Sequence, residues 1–189
     1  MKELKYKKIK DSLTVFSELM VPSYANFGGK VHGGTILSIM DKIAYVCATK
    51  HAGNYCVTAS VETVDFLSPV DVGDQLSLFA SVNYVGKSSL VIGIKVISEN
   101  LKKGTVRDAN TSYFTMVAMD DDHRPVRVPG LLLETHVEVR RFLEAKKRKE
   151  MKNYNKEEFR KAKQSMESLE EIHTLQDENC KIQIVQEDQ

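Results

Sequence analysis

"NFGGKVHGGTILSIMD", residues 26–41, decides how the whole chain is read. Four glycines fall among the nine residues from Asn26 to Gly34, and an apolar run follows at once. Glycine adopts backbone conformations closed to other residues, so the first half reads as a loop. Beyond it Ile36, Leu37, Met40, Ile43, Ala44 and Cys47 recur at helical spacing, and Ile39 and Val46 form a second apolar side. The pattern predicts a helix wrapped by core nearly all round, ending near Gly53. Asp41 stands inside it, about two turns past Gly34, on the side that carries Leu37, Ser38 and Tyr45. Because an unpaired charge is costly to bury, Asp41 needs water, a partner or a chemical task.

Around this helix the chain reads as strands. Ser12 to Met20 forms one, closed by a loop containing Pro22, Ser23, Asn26, Gly28 and Gly29. "YCVTASVETVDF" (55–66) is rich in β-branched residues and leads to turns at Ser68-Pro69 and Gly73-Asp74. "QLSLFASVNYV" (75–85) places Leu76, Leu78, Ala80 and Val82 on one face, and "SLVIGIKVISE" (89–99) does the same with Leu90, Ile92, Ile94 and Val96. Gly86-Lys87 between them suits a hairpin turn, and residues 105–120 supply a further strand. One strand, one helix and four strands in meander make an α+β domain, an antiparallel sheet wrapped around one central helix. Its edges and outer face need cover, which a second copy would supply.

Composition narrows the function. A 42% hydrophobic content supports an ordinary core, and the net charge of +1 gives no reason to expect nucleic acid as a partner. No apolar run is long enough to span a bilayer, and the N-terminus lacks a signal-peptide pattern, so a cytoplasmic protein without membrane contact is expected. Cys47, Cys56 and Cys180 form no C-x-x-C pair, and the five histidines lack metal-binding spacings, so no metal is expected. Charge changes sharply near residue 134: residues 134–164 carry 11 basic and 6 acidic side chains, while residues 165–189 carry 1 and 7. The expected division is therefore a domain over 1–133 and a charged helical extension over 134–189. That extension begins with a helix from Thr135 to about Leu169 and ends in a loosely ordered acidic tail.

Several segments together resemble one family. They are Ala25-Asn26, Val31-His32-Gly33-Gly34-Thr35-Ile36-Leu37, Met40-Asp41, "TASV" (58–61), Gly86-Lys87-Ser88-Ser89 and "VPGLLLET" (128–135). Over roughly residues 12–145 they are similar to the hot-dog-fold acyl-CoA thioesterases. The likeness is to the brain-type cytosolic long-chain acyl-CoA hydrolases and their bacterial single-domain relatives. The resemblance implies a hot-dog fold and hydrolysis of acyl-CoA to a fatty acid and CoA, with coenzyme A as part of the substrate and no separate cofactor. It implies that Asp41 is the general base on the hydrolytic water, or a direct nucleophile. Asn26 of the partner subunit would then help to hold water and thioester, and the homodimers would assemble as a trimer of dimers, a hexamer. It also implies that Gly86, Lys87, Ser88 and Ser89 line the CoA channel, where a turn offers N–H groups, hydroxyls and a cation.

Physical chemistry adds a role for the glycine pair. A helix N-terminus presents unpaired N–H groups and partial positive charge, so Gly33 and Gly34 form a cradle for the thioester carbonyl as its oxygen gains charge. Other residues keep plainer readings. Val31 and His32 shape the loop, Cys47 belongs to the core, and Glu62 and Asp65 face solvent. Lys146-Lys147-Arg148-Lys149 is a solvated helix face. Thr58 and Ser60 fall near the channel without a local signal of their own. Two other functions stay open. A hydroxyacyl-thioester dehydratase or hydratase would use His32, but the expected His-Phe-Pro-Gly type of sequence is absent. A non-catalytic acyl-CoA sensor would gain nothing from retaining both Asn26 and Asp41.

Overall fold

The computed structural model describes residues 5–167 and 172–183. Strand β1 (Tyr6–Lys8) and a 3-10 turn precede β2 (Thr14–Leu19), after which the glycine loop leads into helix α1 (Gly33–Ala52). Strands β3 (Tyr55–Val61), β4 (Gln75–Val85), β5 (Ser89–Asn100) and β6 (Thr105–Met119) follow, then a short β7 (Gly130–Leu132) and helix α2 (His136–Glu167). Five strands form one antiparallel sheet in the order β2-β4-β5-β6-β3, and β1 pairs in parallel with β7. The sheet curls around α1 in the hot-dog arrangement that the sequence predicts.

The alternating runs behave as their pattern requires. Leu76, Leu78, Ala80 and Val82 of β4 and Leu90, Ile92, Ile94 and Val96 of β5 are all buried and meet Ile36, Ile39, Met40, Ile43, Ala44 and Cys47 of α1. Burying each large aliphatic side chain contributes about 1.5–3 kcal/mol, so this one interface holds most of the domain's apolar stabilisation. Gly53 ends α1 in the left-handed conformation at φ 70°, where a side chain would be strained. The Lys7 ammonium adds to that end by donating to the carbonyls of Lys50 (3.1 Å) and His51 (2.7 Å).

Three expectations need correction. The four strands after the helix are not a simple meander, because only β4, β5 and β6 follow one another. β3 crosses to the far edge and pairs with β6. Nor is α1 wrapped nearly all round: Leu37, Tyr45 and Val46 are exposed, together with Ser38, Asp41 and Lys42. A single curled sheet reaches around only part of a helix surface, so one stripe of α1 stays open. The strand expected over 55–66 stops at Val61, and residues 62–69 run irregularly. Asn110 pins that segment by donating to the Asp65 carbonyl at 2.6 Å.

Two compact units divide the chain, residues 1–146 and 147–189. α2 spans the helix expected from Thr135, and the position near Leu169 lies outside the described residues. The acidic tail falls partly on 168–171 and 184–189, which are also outside them, and Ile172–Asp177 forms a 3-10 turn. Among the described residues no helix is long and apolar enough to cross a membrane.

Candidate functional site

The glycine loop is built around the side chain of Asn26. Its Oδ1 accepts from the amides of Gly28 (2.9 Å) and Lys30 (3.2 Å), and its own N–H donates to the Lys30 carbonyl at 2.6 Å. Such a turn mimics a backbone turn and fixes the carboxamide, leaving the side-chain NH₂ uncommitted by the loop. An antiparallel bridge between Ala25 and Val31 closes the loop, and Lys30 ties it to Asp71. The Lys30 ammonium holds the Asp71 carboxyl below its ordinary value despite some burial, with Arg107 as a second cation at 3.3 Å.

At the start of α1, His32 is the N-cap: its Nδ1 accepts from the Gly34 amide at 2.9 Å, and its carbonyl accepts from Thr35 at 2.9 Å. The loop-shaping role expected of His32 takes this specific form. It also means that the N–H of Gly34 is engaged by the His32 ring. The Phe66 ring lies over Gly33, where an added Cβ would come within 3.1 Å of it.

Asp41 projects from the open stripe of α1 and accepts a hydrogen bond from the Thr58 hydroxyl at 2.6 Å. Thr58 reaches it by the ordinary alternation of β3, following Cys56 on the face toward α1 and pairing with core residue Met116 of β6 before the register shifts at Ala59. Thr58 is the residue that sequence reasoning undervalued. The signal was its place opposite a helix carboxylate, which only strand registration reveals. Asp41 and Thr58 line one cleft with Tyr45, Val46, Tyr55 and Val57. Among the described residues no hydrogen bond joins Asn26 to Asp41.

The Gly86-Lys87-Ser88-Ser89 turn closes the β4–β5 hairpin through Gly86 N–H to Ser89 carbonyl at 2.8 Å. The carbonyls of Lys87 and Ser88 accept from Val128 (3.0 Å) and Ala118 (2.9 Å), so the turn is anchored while the Lys87 side chain stays exposed. Ser89 pairs with Val117, which pairs with Val57 beside Thr58. The turn therefore lies two strands, roughly 10 Å, from the Asp41–Thr58 pair. Cys47 is fully buried and its thiol is pushed up to about 12 by desolvation, which suits a core residue and not a nucleophile. Among the described residues no cluster of His, Cys, Asp and Glu could hold a metal.

Comparison with known proteins supplies kinship. A profile of the thioesterase superfamily matches residues 28–105. Helicobacter pylori VdlD is 45% identical over 138 residues, covering 73% of this chain and 79% of that protein. The uncharacterized acyl-CoA thioester hydrolase YkhA of Bacillus subtilis is 38% identical over 130 residues, 69% of this chain and 76% of its own. Among solved structures, an apo-hexameric acyl-CoA thioesterase superposes with a TM-score of 0.78 at 35% identity, covering 80% of this chain and 97% of that one. The acyl-CoA hydrolase of Staphylococcus aureus, solved with butyryl-CoA, CoA and CoA disulfide, gives 0.75 at 34% identity, covering 87% and 98%. That hydrolase has also been solved with alanine in place of an asparagine, an aspartate and a threonine. These stand at the same separations along the chain as Asn26, Asp41 and Thr58 here.

Proposed function

We infer that the open face of α1 hydrolyses acyl-CoA to free fatty acid and CoA, since the chain belongs to the thioesterase superfamily and, within it, to the hot-dog-fold acyl-CoA hydrolases. The observation that carries the residue assignment is the Asp41–Thr58 hydrogen bond on the open stripe of α1, two turns from its glycine-rich N-terminus. Thr58 donates to Oδ1 and holds the carboxylate in one orientation, so Oδ2 is available to a water. That water attacks the thioester carbonyl carbon, its proton passes to Asp41, and the carbonyl oxygen becomes an oxyanion. The Gly33 amide and the positive end of α1 meet the oxyanion. Collapse of the tetrahedral intermediate breaks the carbon–sulfur bond and releases CoA thiolate, which takes up a proton. If Asp41 is itself the nucleophile, its carboxylate displaces CoA thiolate to form a mixed anhydride, and water attacking the aspartyl carbonyl leaves heavy oxygen in Asp41 after a single turnover. Label in Asp41 therefore establishes the nucleophile, whereas a base never acquires it.

Asn26 enters from the second subunit of a homodimer. With its Oδ1 committed to the Gly28 and Lys30 amides, it acts as a donor, its NH₂ meeting the carbonyl oxygen across the interface. The exposed Leu37, Tyr45 and Val46 give the second copy an apolar surface to cover, and the hexameric relative supports further assembly. The anchored turn of Gly86, Lys87, Ser88 and Ser89 serves the CoA moiety.

Refolding a mixture of Asn26→Ala and Asp41→Asn proteins tests the shared site. Random assortment makes about half of the dimers mixed, each with one intact site of two, so activity returns to about a quarter of wild type. A site built within one chain recovers nothing, and that result, with heterodimers demonstrated, overturns the model.

A further inference from the structure

The outer face of the sheet, opposite α1, carries a second cavity of about 440 Å³. Its floor comes from side chains that alternate with the core-facing ones, among them Ser81, Gly93 and Tyr113, which pair in register across β4, β5 and β6. The first turns of α2 wall it with Arg140, Arg141 and Glu144, held there by Phe142 against Tyr84 at a ring separation of 5.0 Å. Volumes of this order accommodate small organic ligands.

Asn83 is placed here by a local irregularity. β4 shifts register against β5 between Val82 and Tyr84, so Asn83 is the extra residue of a β-bulge. Val82 and Val85 stay with the core, while Asn83 lines the outer cavity. The residue as a whole is only 5% exposed, and its Oδ1 accepts from the Ser81 hydroxyl at 2.9 Å. Its Nδ2 has no acceptor among the described residues and lies over Gly93, where an added Cβ would come within 2.2 Å of it. The bulge and the missing side chain at Gly93 together leave this amide donor at the cavity surface, where a ligand acceptor can meet it.

The charges around the cavity cancel except for one. Arg140 pairs with Glu144 at 3.6 Å and Lys95 with Asp108 at 2.9 Å. Arg141 has no ionic partner among the described residues. One unpaired guanidinium and one unpaired amide call for an acceptor bearing a single negative charge, and a guanidinium matches a carboxylate in bidentate geometry. Leu13, Phe79 and Ile94 add apolar lining beside those donors. We propose that this cavity binds a small amphiphilic monocarboxylate, its head on Arg141 and Asn83 and its hydrocarbon on the apolar wall. Fatty acids, the product in the hydrolase reading, belong to that class; the physiological link rests on that reading, while the site's chemistry does not.

Calorimetric titration of the full-length protein with octanoate tests it, with 1-octanol as the headless control. Wild type is expected to bind octanoate at least about tenfold more tightly than Arg141→Gln, since a charge-assisted pair is lost. Gly93→Ala, which displaces Asn83, weakens binding as well, and octanol gives no comparable heat. Octanoate held in the hydrolytic site contributes equally to wild type and Arg141→Gln, so it cancels from the difference. Equal titration of those two proteins, or equal binding of octanol, overturns the proposal. Acyl-CoA hydrolysis, measured separately, stays at wild-type level in Arg141→Gln. A chain that lacks hydrolysis but keeps the titration difference loses the hydrolase reading alone.

Discussion

The two sides of α1 are built from similar residues in opposite surroundings. On one, Met40, Ala44, Cys47 and Ala48 are wholly buried against the sheet. On the other, Leu37, Tyr45 and Val46 are 36–40% exposed and flank Asp41. The comparison explains how a carboxylate can stand in so apolar a helix. Asp41 sits on the exposed stripe, held by one hydroxyl, and Met40 beside it in sequence belongs to the core. One stripe of the helix stabilises the fold, and the other is free to carry chemistry.

Substitutions should therefore separate by side. The largest effect is expected from Asp41→Asn, which lowers kcat by about 10²–10⁴ while the melting temperature barely moves. Steady-state hydrolysis beside a thermal melt checks both halves, and near-normal turnover ends the assignment. On the buried side, Met40→Ala opens a cavity and costs about 2–5 kcal/mol, read from urea unfolding. Leu37→Ala on the open stripe should cost less than that in the fold and instead weaken subunit association, seen by sedimentation. Equal unfolding losses at the two positions would break the comparison.

Smaller effects sharpen it. Thr58→Val removes the donor to Asp41 and should lower kcat by about tenfold with little change in KM, in line with one hydrogen bond to a charged group. A pure KM effect would make Thr58 a substrate contact. At the far end of α1, His51 is fully buried, with one ring nitrogen 3.0 Å from the Pro129 carbonyl and Nδ1 without a partner. Burial lowers its pKa from the ordinary 6.5, against an opposing contribution from the Pro129 carbonyl. The unfolded chain then takes up the proton first, so the contribution is full above about pH 6.5 and is lost as pH falls toward the lower folded value. Melting at pH 5 and pH 7.5 should show that loss in wild type and a smaller one in His51→Gln; equal losses would exclude His51 as the cause.

Much of the fold was legible because the strand pattern is clean. Leu76, Leu78, Ala80 and Val82 alternate in sequence, and all four are buried. The β3 crossover was not legible, since its β-branched run suits an edge beside β4 as well as one beside β6, and only long-range pairing chooses. The short β1–β7 pair was missed for a similar reason: three-residue strands carry too little pattern.

By itself the sequence determined the local chemistry of this protein: the glycine loop, the helix, the place of Asp41 two turns into it, and the kinship that these residues signal. Those depend on residue identity and spacing within a few turns of chain. The tertiary structure decided which side of α1 is open, that Thr58 meets Asp41, that His32 caps the Gly34 amide, and that a bulge brings Asn83 into the cavity that Arg141 also lines. Thr58 and Asp41 are 17 residues apart, and Asn83 and Arg141 belong to a strand and a helix brought together only by packing. Strand register and burial arise from the whole sheet at once, and no local window of sequence contains them.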